Sequence, residues 1–101
     1  MMKKYKLIVV DDSLSVLKVF ENAVKDYPEF ELVRKYDRGD MFLEYLVNCE
    51  ENIDFVILDL IMPDIDGIEI AREICQKYKY KIKHVICMSG LTSESMLNQI
   101  G

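Results

Sequence analysis

Asp11, Asp12 and Ser13 follow the apolar run Leu7-Ile8-Val9-Val10, and Asp59 follows Phe55-Val56-Ile57-Leu58. Ser89 and Gly90 close a third run, Val85-Ile86-Cys87-Met88. Taken singly, each has a plain structural reading. An acidic pair ahead of a helix caps it and suits its dipole, and a Ser-Gly step is a turn. Together they describe chemistry. Aspartates crowded near one another favour their neutral forms unless a cation lies between them. Hard oxygen donors suit Mg²⁺, which keeps several waters and is held by one or two carboxylates together with a phosphate. Two chemistries are then open: simple metal binding, or a carboxylate that accepts a phosphoryl group while the metal offsets the developing charge. The Ser89 hydroxyl favours the second, being a weak Mg²⁺ ligand but an able donor to a phosphoryl oxygen. An ionised Asp59 needs no general base to attack an already activated phosphodonor.

For these side chains to meet, the runs that precede them must be neighbouring strands ending on one rim. Leu7-Ile8-Val9-Val10 and Phe55-Val56-Ile57-Leu58 are apolar without alternation, as strands covered on both faces must be. Between them Ser13 caps a first helix with Val16, Leu17, Phe20, Val24 and Tyr27 at a 3.6-residue period, halted by Pro28. Residues 31–36 mix Leu32 and Val33 with Arg34 and Lys35, the composition of a strand nearer an edge. Asp37 or Asp40 opens a second helix bearing Phe42, Tyr45, Leu46 and Cys49. Asp66-Gly67-Ile68-Glu69 reads as a cap with an acid three residues on, followed by Ile70, Ala71, Ile74, Cys75 and Tyr78 along one face. Residues 84–88 form a fourth strand and Thr92 starts a last helix. The alternation is the βαβ signature, and it implies an open parallel sheet wrapped by helices on both faces, with its ligand site at the carboxyl ends of the strands.

Composition narrows the function. A chain of 101 residues, half apolar and 31% charged, makes one globular domain over residues 1–101. The longest uncharged run, 85–93, is far short of a membrane span. The basic start at Lys3 and Lys4 leads into only four apolar residues, so it is no signal peptide. A net charge of −5, with no Lys/Arg stripe, argues against direct nucleic-acid binding. Cys49, Cys75 and Cys87 are odd in number, lack a Cys-x-x-Cys pair and sit in apolar runs where cysteine is usually buried, which fits a reducing cytoplasm. His84 is the only histidine, too little for a His-rich metal site or a hydrolase triad, and reads as structural or solvated at the head of a strand.

The three site segments, Ile8-Val9-Val10-Asp11-Asp12-Ser13, Ile57-Leu58-Asp59-Leu60-Ile61-Met62-Pro63-Asp64-Ile65-Asp66-Gly67 and Val85-Ile86-Cys87-Met88-Ser89-Gly90, resemble the receiver domain of bacterial two-component response regulators. The resemblance runs over residues 6–101. It implies a flavodoxin-like α/β sheet of order 2-1-3-4 and a phosphoprotein of a phosphorelay, in which Asp59 takes phosphate from a sensor histidine kinase or phosphotransfer protein. Asp12 would bind Mg²⁺ directly and Asp11 through a water. The Ile61 carbonyl would be a further metal ligand and Ser89 the hydroxyl that moves toward the phosphoryl group. Pro63 and Gly67 would shape the following loop, while Asp66 has the better claim as a helix cap.

The chain departs from that family after its fourth strand. No residue matches the family's fifth strand and helix, nor the lysine that pairs with the phosphoryl group, since no lysine follows Lys83. The expectation is a truncated receiver whose fourth strand is an uncovered edge. Self-association would then use that edge and a last-helix stripe of Leu91, Met96, Leu97 and Ile100. Two readings follow: a phosphoryl-accepting module with at most slow self-dephosphorylation, or a phosphorylation-independent interaction or dimerisation module. A Mg²⁺-dependent phosphohydrolase is remote, because Ile61 and Ser13 stand where an Asp-x-Asp motif would need acids.

Overall fold

The computed structural model describes residues 4–48, 50–60 and 67–88. Four strands, β1 (Tyr5–Val10), β2 (Phe30–Tyr36), β3 (Ile53–Asp59) and β4 (Ile82–Met88), pair in parallel in the order β2-β1-β3-β4. Three helices connect them: α1 (Leu14–Ala23), α2 (Gly39–Asn48) and α3 (Gly67–Glu73). This is the expected flavodoxin-like order 2-1-3-4, with β1 and β3 central and β2 at one edge.

The unalternating run of β1 is buried on both faces, as its composition requires, while in β3 Val56 and Leu58 are buried and Phe55 and Ile57 half-buried. Ile8, Val10, Val56 and Leu58 pack beneath Phe42 and Leu46 of α2 and Ile70 of α3. Leu7 and Val9 face the other way, against Leu17 of α1. Phe42 and Leu46 are completely buried, and each such side chain stabilises the fold by about 1.5–3 kcal/mol relative to exposure. The ammonium of Lys81 reaches back to the Leu46 carbonyl at 2.8 Å, placing a cation on the C-terminal turn of α2 where unpaired carbonyls favour one.

The first helix is shorter than its apolar period predicts. It ends at Ala23 and tightens into a 3-10 turn over Val24–Asp26. Val24 still packs on the core, but Tyr27 is 56% exposed. Tyr27 precedes Pro28, whose ring disfavours the helical region for the residue before it, and its φ is −129°. A similar correction applies after α3. There the chain widens into a π turn over Ile74–Tyr78, which breaks the 3.6-residue stripe, so Ile74 stays buried while Cys75 turns outward. Cys87 on β4 is exposed as well, so neither thiol is the buried apolar group expected. Cys49 and the expected last helix lie outside the described residues.

Candidate functional site

Parallel pairing brings the carboxyl ends of β1 and β3 side by side, with Val10 opposite Leu58. The next residues are Asp11, the first beyond β1, and Asp59, the last of β3. One carboxylate oxygen from each of Asp11, Asp12 and Asp59 lies within 4.8 Å of the others. Asp11 and Asp59 are buried, whereas Asp12 is exposed. The cluster opens to solvent through Asp12.

Local structure fixes each member. The Asp11 amide donates to the Tyr36 carbonyl at 2.9 Å, tying the acidic turn to β2. The Asp11 carboxylate accepts from the Ser13 amide at 2.8 Å, and the Ser13 hydroxyl accepts from the Val16 amide at 3.3 Å. Ser13 has an extended ψ of 113° and caps α1 as its sequence position predicts. On the other side, the Leu60 amide donates to the Met88 carbonyl at 2.7 Å, and the Gly67 amide to the Leu60 carbonyl at 3.0 Å. A Cβ on Gly67 would lie 2.9 Å from the Leu60 carbonyl carbon, and nearer still to the Asp59 carbonyl oxygen and the Leu60 Cα. Only glycine lets the start of α3 rest on the backbone that carries Asp59.

The donor set fits a hard divalent cation. Three carboxylate oxygens within 4.8 Å of one another, with an open side for water, are what Mg²⁺ accepts, and a soft metal would want thiolate or imidazole, which these three residues do not supply. Three negative charges at this spacing repel one another, and a cation between them offsets that repulsion.

Of the residues singled out in the sequence, Asp11, Asp12 and Asp59 come together. Ser89, Ile61, Pro63 and Asp66 lie outside the described residues. His84 is exposed and stacks on Phe55 with ring centroids 5.3 Å apart, far along the strand from the acidic rim. Partial burial, with Cys75 nearby, pushes the Cys87 thiol up, which leaves it little thiolate at neutral pH. A buried acid that the sequence reading passed over is Asp54, at the opposite end of β3. Its carboxylate accepts from the Lys6 amide at 2.8 Å and stands 3.5 Å from the Lys83 ammonium. Its signal was an acid immediately ahead of an unbroken apolar run.

The fold and this rim are those of a known class. The family model described as "Response regulator receiver domain" matches residues 7–100, and this chain belongs to that family. Chemotaxis protein CheY of Listeria monocytogenes is 37% identical over 73 residues, covering 71% of this chain and 58% of its own length. A protein-glutamate methylesterase/protein-glutamine glutaminase of Pyrococcus horikoshii is 34% identical over 92 residues, 91% of this chain and 24% of that protein. Among solved structures, CheY6 of R. sphaeroides in complex with the P1 domain of CheA3 superposes with a TM-score of 0.70 at 26% identity, covering 92% of this chain and 69% of the matched one. The chain spans 34% and 26% of the first curated relatives it matches. It is therefore a receiver domain of two-component signalling, a regulatory module. No helix among the described residues is long and apolar enough to cross a membrane.

Proposed function

We propose that this chain is the phosphoryl-accepting switch of a phosphorelay, with Asp59 as the acceptor and Mg²⁺ held by Asp11, Asp12 and Asp59. The observation that carries this reading is the convergence of three carboxylates within 4.8 Å at the carboxyl rim of β1 and β3. In the reaction an Asp59 carboxylate oxygen attacks phosphorus, a new O–P bond forms, and the donor's P–O or P–N bond breaks with its electron pair leaving on the donor. The bound metal would neutralise charge gathering on the phosphoryl oxygens. Asp11, fixed by the Ser13 amide, and Asp12, facing solvent, would orient that charge without competing as nucleophiles. By the resemblance to the family, the Ile61 carbonyl would be a further metal ligand and Ser89 would donate to the phosphoryl group after transfer. Water attack on the aspartyl phosphate, returning the free carboxylate, would make the signal self-limiting.

The proposed donor is a cytoplasmic histidine kinase or phosphotransfer protein. CheY6, solved with the P1 domain of CheA3, supports a partner of that kind. Intact-protein mass after incubation with acetyl phosphate and Mg²⁺ tests the reading. A single phosphoryl adduct is expected, absent from Asp59→Asn and absent without metal. No adduct while Mg²⁺ still binds would contradict phosphotransfer and leave the scaffold as an interaction module.

A further inference from the structure

Two irregularities face each other between the end of α1 and strand β2. On the helix side the chain tightens into the 3-10 turn Val24–Asp26. On the sheet side Leu7 pairs with Leu32 and Ile8 with Arg34, so Val33 is an extra residue and β2 carries a bulge. Between them lies an open hollow of about 590 Å³, lined by Glu21, Val24 and Lys25 from the helix side and by Leu32, Val33 and Lys35 from the strand, with Arg34 beside them. Val24, Leu32 and Val33 are half-buried and make an apolar floor. Val24 and Leu32 pack on the buried Leu7, Val9 and Leu17, so that floor is continuous with the core. The charges around it are unbalanced. The Glu21 carboxylate accepts from the Lys35 ammonium, bridging helix and strand, and lies 3.9 Å from the Lys18 ammonium. Lys25, one turn further along, meets only the Asn22 amide oxygen at 3.5 Å among the described residues. Three lysines therefore surround one carboxylate, on a chain whose net charge is −5.

We infer that this hollow receives a short acidic segment of a partner protein, with an aliphatic side chain on the floor of Val24, Leu32 and Val33 and a carboxylate at the ammonium groups of Lys25 and Lys35. Charge complementarity selects this occupant. Glu21 is an internal carboxylate already held by that group of cations, and it leaves positive charge in surplus. The surplus charges repel one another, and a second carboxylate offsets that repulsion where a neutral or cationic segment would not. The apolar floor favours a peptide over nucleic acid. A nucleic-acid strand is held by a run of phosphate contacts, whereas this hollow sets a few cations around aliphatic side chains on a net acidic chain. The bulge at Val33 interrupts the regular edge that strand addition needs, so the segment is held by its side chains rather than by joining the sheet. Ion pairs at so open a site contribute to encounter and specificity more than to raw affinity.

The inference does not rest on phosphorylation, and its test uses neither Mg²⁺ nor a phosphodonor. The probe is a dye-labelled synthetic peptide alternating leucine with glutamate, titrated with the 101-residue chain and followed by fluorescence anisotropy. Saturable binding is expected, weakened about tenfold by Lys25→Glu and by a similar factor when glutamine replaces glutamate in the peptide. Glu21→Gln is expected to tighten binding severalfold, because it removes the internal carboxylate that competes for Lys35. A Glu21–Lys35 pair that served only to hold helix to strand would give no such gain. Both substitutions lie at solvent-accessible positions, so circular dichroism should be unchanged. The absence of saturable binding, binding that Lys25→Glu leaves undiminished, or a Glu21→Gln variant that binds no more tightly than wild type would each overturn the inference. So would a single-stranded DNA oligonucleotide that binds more tightly than the peptide.

Discussion

Strand β3 carries a buried aspartate near each end, and the two carboxylates keep opposite company. Asp54 and Asp59 are 8% and 7% exposed, five residues apart in one chain. Asp54 sits at the amino end of the sheet, where it accepts from the Lys6 amide and stands beside the Lys83 ammonium. Asp59 sits at the carboxyl end, with Asp11 and Asp12 as its neighbours. Asp54 lies beside a cation of another strand, whereas Asp59 shares its surroundings with two further carboxylates, whose mutual repulsion a cation would offset. Residue type and burial are the same, and the neighbours alone separate scaffold from site.

Substitutions at each end should break that contrast in different ways. The largest effect is expected from Gly67→Val, which drives a side chain into the Asp59 and Leu60 backbone. Urea unfolding should show a loss of about 4 kcal/mol or more, with the carboxyl rim disrupted. Next is Asp54→Ala, which leaves the Lys6 amide without its acceptor and should cost about 1–3 kcal/mol in the same assay. Asp59→Asn in metal-free buffer should cost less than that, because it removes one of three mutually repelling charges. Equal losses at Asp54 and Asp59 would erase the distinction. Ser13→Ala should cost about 1 kcal/mol through the lost cap on α1, measurable as a lower urea midpoint with unchanged slope.

The smallest effect concerns pH. Lys35, hydrogen-bonded to Glu21 and attracting its charge, holds that carboxyl below the ordinary 4.5. A lowered folded value means that the pair contributes stability above about pH 4.5 and loses it as pH falls through the folded value. Both side chains are solvent-accessible, so Glu21→Gln should only slightly flatten the acid limb of a stability–pH curve, and added salt should shrink the difference further.

Much of this arrangement was legible in the residues. The two unalternating runs specified central parallel strands, and the acids placed after them specified a shared rim, because a parallel sheet puts equivalent strand ends together. Arg34 and Lys35 marked β2 as an edge. What escaped was set by contacts distant in sequence or by local strain. Tyr27 lay in phase with the helix but is held out of it by the proline that follows. Cys75 lay on the apolar stripe until a π turn rotated it away, and such a turn leaves no mark in hydrophobic period. Asp54 was passed over because an acid at a strand's start is usually solvated. Its partners, Lys6 and Lys83, come from other strands and meet it only in the folded sheet.

The central claim is that the carboxyl-end cluster binds a cation and the amino-end aspartate does not. Thermal unfolding with and without Mg²⁺ tests it on the wild type, Asp12→Asn and Asp54→Asn. Asp12 is exposed, so its loss should leave the metal-free fold intact. At about 100 times its dissociation constant a ligand stabilises by about 2.7 kcal/mol, and a shift of that order is expected for wild type and Asp54→Asn, whatever the latter's starting stability. For Asp12→Asn the shift should shrink sharply. A Mg²⁺ response that survives Asp12→Asn undiminished, or vanishes with Asp54→Asn, would contradict the account.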